Sequence, residues 1–324
     1  MKLPRRNFLH LAAGAAALPA VWRFAWAQAY PSRPVRIVVT FPAGSTSDTL
    51  ARPVGQWLSE RLGQPFIIDN RPGAGGTIGT EAVVRSPADG YTLLLVSGAH
   101  TVNETLYDKL NFNFIRDIAP IAGISRENYV MVINPSFPAK TVPEFVAYAH
   151  ANPGKINMAS AGIGTSSHLA GELFKMMTSI NLVHIPYRGS PPALTDLIAG
   201  QVQVFFITTA ASIGYIRAGT LRALAVTATR SKTLPDIPTV GEFVPNYEAT
   251  AVWGLGAPRN TPTEIINKLN KEVNAAFADP KMNSRLANLG STPLPGSPAD
   301  FGKLIAEEIE KWGKVVKSVG IKAD

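Results

Sequence analysis

The residues able to do chemistry in this chain gather in turns, and most of them are hydroxyls and glycines. The first turn is Phe41-Pro42-Ala43-Gly44-Ser45-Thr46-Ser47-Asp48. It interrupts the β-branched run 35–39 and leads into Leu50, Val54 and Leu58 at helical spacing. Ser45, Thr46, Ser47 and Asp48 are candidate N-caps for that helix. A strand that feeds a Gly/Ser turn and then a helix leaves several N–H groups aimed at one point without an intrahelical partner, and the helix dipole adds positive charge there. Such a point suits an anion. The turns 97–99, 160–167 and 187–190 repeat the mixture of glycine and hydroxyl residues. Each follows a predicted strand, two in each half of the chain. Together they describe a cleft that grips a small anion from both sides and does no chemistry on it.

Other chemistries fit less well. Gly73-Ala74-Gly75-Gly76-Thr77-Ile78-Gly79 invites a dinucleotide reading, but Ile78 stands where Gly-x-Gly-x-x-Gly needs its third glycine. The simpler reading is a loop that needs glycine for positive φ or close packing. No Gly-x-x-x-x-Gly-Lys pattern occurs, which argues against P-loop nucleotide chemistry. Met158-Ala159-Ser160-Ala161-Gly162 approaches the Gly-x-Ser-x-Gly nucleophile elbow, with Met158 in the wrong place. His168 and His184 follow, so an α/β hydrolytic enzyme using Ser160 stands as the runner-up. His168 lies about two helical turns beyond Ser160 and reads better as a packing residue. None of His100, His150, His168 and His184 has a histidine at i+4, the chain has no cysteine, and no two acids pair as acid and base. The residues therefore call for no metal, no cofactor and no catalytic group.

The elements that must hold these turns read as an alternation. Strands are predicted at 66–68 and 91–96, with a helix through 81–85 between them, and extended runs follow at 118–124 and 129–133. A helix at 142–149 opens a second series: strand 156–159, helix 168–177, strand 182–185, a helix from Pro191-Pro192 to 198, and strands 202–207 and 221–226. A loop rich in Pro and Thr, 231–240, precedes a strand near 251–255. Helices at 264–277, 280–289 and 298–319 end the chain. The last carries Leu304, Ile305, Ile309, Trp312, Val315 and Val316 on one face, with Ser297 or Asp300 as its cap. Strands alternating with helices imply an α/β fold built on parallel sheet. A chain of 324 residues, 46% hydrophobic, is expected to form two domains. Two similar halves, with the helical tail packed on the first, require the chain to cross twice, near 126–135 and 249–258. Ligands in such architectures sit outside the carboxyl ends of the strands and between domains.

Residues 1–27 read as an export signal. Arg5-Arg6-Asn7-Phe8-Leu9 is similar to the twin-arginine type, and an Ala-rich apolar run over 9–20 follows. That run is too short to span a bilayer, and small-x-small cleavage candidates end at Ala27 and Ala29. The expected compartment is the periplasm. Lys2, Arg5, Arg6 and Arg23 leave with the signal, so 27 bases face 23 acids and the formal charge falls from +8 to +4. The remaining bases do not cluster, which argues against nucleic acid as a partner. No later stretch reaches about 18 uninterrupted apolar residues, so the exported chain is expected not to span a membrane.

Beyond these local signals, the chain resembles the Bug family, the extracytoplasmic solute-binding receptors of tripartite tricarboxylate transporters. The likeness is carried by Phe-Pro-Ala-Gly-Ser-Thr-Ser-Asp-Thr-Leu-Ala-Arg (41–52), Asp-Asn-Arg-Pro-Gly-Ala-Gly-Gly-Thr-Ile-Gly (69–79) and Pro-Ala-Asp-Gly-Tyr-Thr-Leu-Leu (87–94). The segments 157–174, 184–197 and 234–242 extend it through the second half. The resemblance implies a type II periplasmic-binding-protein fold, two α/β lobes joined by a two-segment hinge. Lobe 1 would comprise 28–126 and 254–324, and lobe 2 would comprise 127–253. It implies a non-enzymatic, monomeric receptor that captures a small carboxylate and docks on membrane transporter subunits. A sensor partner that presents ligand to a signalling protein would use the same site. The positions that match the family's binding loops are Phe41, Gly44, Ser45, Thr46, Asp48, Ser97 and Gly98 on the first lobe. On the second they are Ser160, Gly162, Gly164, Thr165, Ser166 and Tyr187. Phe41 would wall the pocket, and Asp48 would cap its helix, because a carboxylate repels an anion. The chain departs from the family pattern at Ser45, where a second glycine is common, and at Ile207-Thr208, where Asp-Asn is common. Without an acid facing the cleft, a plain or aromatic carboxylate is the expected ligand in preference to an amino acid.

Overall fold

The computed structural model describes residues 30–107 and 109–322. The export signal and its cleavage sites lie outside these residues. Strand β1 (Val35–Val39) is buried except at Arg36. Helix α1 (Thr46–Leu62) begins at Ser45, whose hydroxyl accepts the Asp48 amide, and stops at Gly63 with φ 72°. Of the candidate caps, Ser45 therefore takes the role. Leu50, Val54 and Leu58 face the core as their spacing requires. The chain continues through β2 (Phe66–Asn70), α2 (Thr77–Val84), β3 (Thr92–Val96) and a single 3-10 turn at Gly98–Thr101.

Next comes β4 (Ile118–Ile133), which joins into one 16-residue strand the two extended runs expected at 118–124 and 129–133. The second series is α3 (Val142–Ala151), β5 (Asn157–Ser160), α4 (Ser166–Thr178), β6 (Val183–Pro186), α5 (Ser190–Ile198), β7 (Val204–Thr208), α6 (Thr209–Arg217) and β8 (Arg222–Val226). The chain closes with β9 (Thr250–Pro258), α7 (Thr263–Ala276), α8 (Pro280–Asn288), β10 (Ser291–Pro293) and α9 (Pro298–Val319). Sequence reading did not anticipate α6 or β10. The first carries small and polar residues with no apolar stripe, and the second is only 3 residues long.

One sheet runs through the molecule in the order β2-β1-β3-β9-β4-β7-β5-β6, with β8 and β10 also on β4. β2, β1 and β3 are parallel at one end, and β6, β5 and β7 are parallel at the other. The antiparallel pair β9 and β4 lies between them. Each parallel set has helices between its strands, the arrangement that short right-handed crossovers produce. β4 changes partners at one step: Asn128 pairs with Thr250 of β9, while Tyr129 pairs with Thr208 of β7. This alternation is the mixed α/β architecture of two lobes joined through strands.

The last helix, α9, starts with a reciprocal box between Ser297 and Asp300 and closes on Gly320 at φ 70°. Its Phe301 and Ile305 pack with Val38, Leu94 and Val96 of β1 and β3. It also reaches the second lobe, where Ser318 Oγ lies 3.7 Å from Met176 Sδ. Length explains the reach, since 22 helical residues cover about 33 Å. Among the described residues, no helix is long and apolar enough to cross a membrane.

Candidate functional site

The carboxyl ends of β1, β3, β5 and β7 open toward one another, and a cavity of about 60 Å³ lies among the turns that follow them. Five helical segments begin on its wall. Ser45 caps α1, Ser97 caps the 3-10 turn, Thr165 caps α4, Ser190 opens α5 and Thr208 precedes α6 without a side-chain cap bond. The first i→i−4 bonds of α1 and α4 are made by Thr49 and Leu169, so the amides of Thr46, Ser47, Ser166 and Ser167 precede the helical ladder. Each segment directs the positive end of its dipole inward. No charged side chain lines the cavity among the described residues; Phe41, Tyr129, Ile207 and Trp253 supply its apolar surface. The arrangement offers a negative charge many weak donors and no fixed counter-ion.

Groups behind the wall hold the turns in place. The Asp48 carboxylate accepts the Gly44 amide at 3.0 Å, Arg52 Nε at 2.9 Å and Nη2 at 2.8 Å, and Asn70 Nδ2 at 3.1 Å. Burial pushes this carboxyl up, but those donors outweigh it and hold it below the usual carboxylate range. Asn70 also donates to the Phe41 carbonyl at 3.0 Å, which fixes the start of the turn. Under the 97–99 turn, the Ser97 amide donates to His100 Nδ1 at 2.8 Å, and the His100 ring stacks on Phe114. Burial pushes His100 down to about 4, against the hydrogen bond with Ser97, so the ring stays neutral and able to accept.

Contacts cross the cavity from one lobe to the other. Thr46 Oγ1 and Thr208 Oγ1 are 2.6 Å apart. Trp253 Nε1 donates to Ser47 Oγ at 3.3 Å. Gly98 lies so close to Ser166 that an added Cβ would meet its Oγ at 2.0 Å, and one on Gly164 would meet Leu106 Cδ2 at 1.8 Å. The lobes are thus apposed, with glycine where the approach is tightest.

A wider groove of about 780 Å³ adjoins this cavity, and Phe41 and Ala161 line both. Its walls are Pro42, the loop 72–76 and Tyr107 on one side, with 161–163 and 186–189 on the other. The glycine-dense loop finds its use here. Gly73, Gly75 and Gly76 all have φ between 59° and 141°, and Gly75 passes close to the Tyr107 hydroxyl.

The expected site residues divide accordingly. Phe41, Ser45, Thr46, Ser97, Gly98, Thr165 and Ser166 line the inner cavity, while Gly162 and Tyr187 line the groove. The Tyr187 hydroxyl donates to Asp196 Oδ2 at 2.6 Å, so the groove meets mainly its ring. Burial, then Asp196, push its pKa up to about 12. Gly44, Asp48, Ser160 and Gly164 line neither space and act from behind. Ser47, Tyr129, Ser190, Ile207, Thr208 and Trp253 join the wall without having been singled out as binding residues. Ser190 and Thr208 carried a readable signal, a hydroxyl at the turn between a strand and a helix. Tyr129 and Trp253 carried none, because their strands were read only as connections.

Ser160 does meet a histidine. Its Oγ lies 2.6 Å from His184 Nε2, and the His184 ring stacks on His168 with centroids 3.7 Å apart. Burial, and then the neighbouring His168 ring, push His184 down to about 3, far below what a general base needs near neutral pH. Ser160 has no solvent-exposed surface, and its Oγ also accepts the Gly162 amide at 3.2 Å. His168 Nδ1 accepts the Gly164 amide at 3.1 Å. The pair of rings is therefore built as a brace for the 160–165 turn.

The sequence profile of the family described as "Tripartite tricarboxylate transporter family receptor" matches residues 50–321. A curated relative, Protein BugT of Bordetella pertussis, is 36% identical over 300 residues, covering 91% of this chain and 92% of its own length. Among solved structures, R. palustris Rpa4515 with adipate superimposes with a TM-score of 0.88 at 37% identity, covering 90% of this chain and 99% of the other. MatC from Rhodopseudomonas palustris with bound malate gives a TM-score of 0.84 at 32% identity, covering 89% of this chain and 100% of the other.

Proposed function

We propose, from the premise that the chain belongs to the tripartite tricarboxylate transporter receptor family, that it captures a small carboxylate between its two lobes and delivers it to membrane transporter subunits. The observation that carries this reading is the convergence of five helical starts on a cavity lined by no charged side chain among the described residues. Such a wall favours an anion through dipoles and N–H groups, without a charge that would need to be buried and paired. The two neighbours that carry adipate and malate support the same ligand class. Ligand would shift the lobes toward closure, because only the closed arrangement brings both sets of amides onto one anion.

The receptor acts in the periplasm as a monomer after its export signal is removed, with 28–126 and 254–324 forming lobe 1 and 127–253 forming lobe 2. It performs no chemistry on its ligand and needs no cofactor. Ile207 and Thr208 on the wall support a plain carboxylate over an amino acid, because neither offers an ammonium group a negative partner. Trp253 provides the assay, since it lines the cavity and its emission should change as ligand enters. Titration with mono- and dicarboxylates is expected to give saturable changes, with aspartate and glutamate weaker. A competing hydrolytic reading has one observation in its favour, the contact between Ser160 and His184. Ser160→Ala decides between the two. A receptor keeps binding, somewhat weakened by the loosened turn, and leaves ester and amide substrates intact in both forms. An enzyme would lose turnover by orders of magnitude.

A further inference from the structure

Ser125, Glu127 and Tyr129 lie on one face of β4, since strand residues alternate and the pairing runs without a bulge from Ser125 to Tyr129. Residues two apart on a strand are separated by about 6.7 Å, so Glu127 stands close behind Tyr129, which lines the inner cavity. The Ser291 hydroxyl donates to Glu127, while Glu127 Oε2 and Ser125 Oγ are buried without a partner among the described residues. Two other titratable groups bear on this stretch: Tyr247, beside Tyr129, and Glu308 of α9, whose carboxylate accepts Trp312 Nε1. β9 and β10 face it with Ala251 and Ser291. Arg126 alternates to the opposite face of β4, and Glu127 belongs to no ion pair among the described residues. An ionised carboxylate here is buried with one hydroxyl as its donor, whereas a protonated one asks for little more.

We infer that Glu127 is a positioning residue that couples anion capture to proton uptake: ionised, it repels a carboxylate held on the far side of Tyr129, and neutral, it does not. The inference rests on the proposed receptor reading and adds a control to that site. Burial pushes the Glu127 carboxyl up to about 8, against the hydrogen bond from Ser291. Burial, then the charges of Glu127 and Glu308, push the Tyr129 phenol up, against the Ser166 hydroxyl, so Tyr129 stays neutral through the same range. An anion in the cavity raises the proton affinity of Glu127. By linkage, the proton raises the affinity for the anion by the same factor. Two unit charges about 10 Å apart inside a protein give a factor of about ten. Ligand affinity should therefore fall as pH rises through the range in which Glu127 ionises, and then level off.

The test is calorimetric titration of benzoate, succinate and adipate from about pH 7 to 9.5 on the wild type, Glu127→Gln and Glu308→Gln. These acids stay ionised throughout, so any slope belongs to the protein. The wild type is also titrated at about pH 8 in HEPES and in Tris, whose different ionisation heats report protons exchanged on binding. Whichever acid binds the wild type best should weaken about tenfold across the range, with uptake of about half a proton at the middle of it. Glu127→Gln should bind with nearly constant affinity and take up no proton, and Glu308→Gln should keep the wild-type slope. A purely structural role for Glu127 would instead shift affinity equally at every pH. A wild-type affinity independent of pH, a slope that survives Glu127→Gln, or one that vanishes in Glu308→Gln would overturn the coupling and leave the receptor reading standing. The buffer comparison needs no variant, so absence of proton uptake by the wild type would overturn it even if Glu127→Gln failed to fold. Failure of all three acids to bind at any pH would overturn both.

Discussion

Thr46 and Thr208 belong to opposite lobes and meet through hydroxyls 2.6 Å apart at the cavity wall. Each also stands at a helix start, so the contact couples the two lobes at the point where the anion is received. Thr46→Val keeps the volume and removes the hydroxyl, leaving Thr208 without that partner. The expected cost is about 0.5–1.5 kcal/mol of closed-state stability, a roughly two- to tenfold rise in Kd by calorimetry, with little change in the melting temperature of the free protein. At this scale much was legible in advance. The hydroxyl and glycine composition of the turns marked Ser45, Thr46, Ser97, Thr165 and Ser166, all of which line the cavity. Tyr129 and Trp253 were not legible, because whether a strand residue faces a cavity depends on its neighbours across the sheet. Asp48 was read as a cap. It is instead the N3 partner of Ser45 and a clamp on Gly44 and Arg52, a role set by tertiary contacts with Asn70.

At the next scale, the turns set how closely the facing elements approach. Gly98 needs no side chain because Ser166 of the facing helix fills the space a Cβ would take. Its backbone is not in the left-handed region, so Gly98→Ala should leave the separated lobes well folded and oppose their apposition. Overpacking of this kind costs about 1–3 kcal/mol, which predicts a five- to hundredfold weaker ligand affinity. Small-angle scattering with saturating ligand should show less compaction than in the wild type.

β4 carries a different burden. Glu127 lies next to the step where β4 changes partners and is 1% exposed. It accepts the Ser291 hydroxyl from β10, and its other oxygen has no partner among the described residues. Burial pushes this carboxyl up to about 8, against the hydrogen bond from Ser291. Between its ordinary value of 4.5 and about 8, the unfolded chain releases this proton and the folded chain keeps it. The contribution of Glu127 to stability is therefore complete below that window, falls as pH rises through it, and levels off above it. Melting temperatures from pH 5 to 9 should decline more steeply in the wild type than in Glu127→Gln. Parallel curves would contradict the assignment. Sequence reading split β4 in two, because Ser125, Arg126, Glu127 and Asn128 look like a polar interruption. Pairing with β9 and β10 on either side carries those residues as continuous strand.

For the molecule as a whole, α9 ties the lobes from outside the cleft. Trp312 is fully buried in the core that includes residues of both lobes, and its Nε1 donates to Glu308 at 2.8 Å. Trp312→Ala should cost about 3–5 kcal/mol of stability, read by chemical denaturation. It should also loosen the coupling between lobe closure and ligand binding. The alternating architecture was legible from the rhythm of strands and turns, because each half repeats the same physical solution of parallel strands under helices. The reach of α9 was not, since an amphipathic stripe tells how much surface a helix buries and not against which lobe.

The most direct measurement of the central claim is calorimetric titration of one carboxylate beside its isosteric primary amide, with recovery of both after incubation. The account predicts saturable binding of the carboxylate, at least tenfold weaker binding of the amide, and chemically unaltered ligand at the end. Equal affinity for the amide would remove the dipole-lined cavity as the source of recognition. Conversion of either compound would remove the receptor itself.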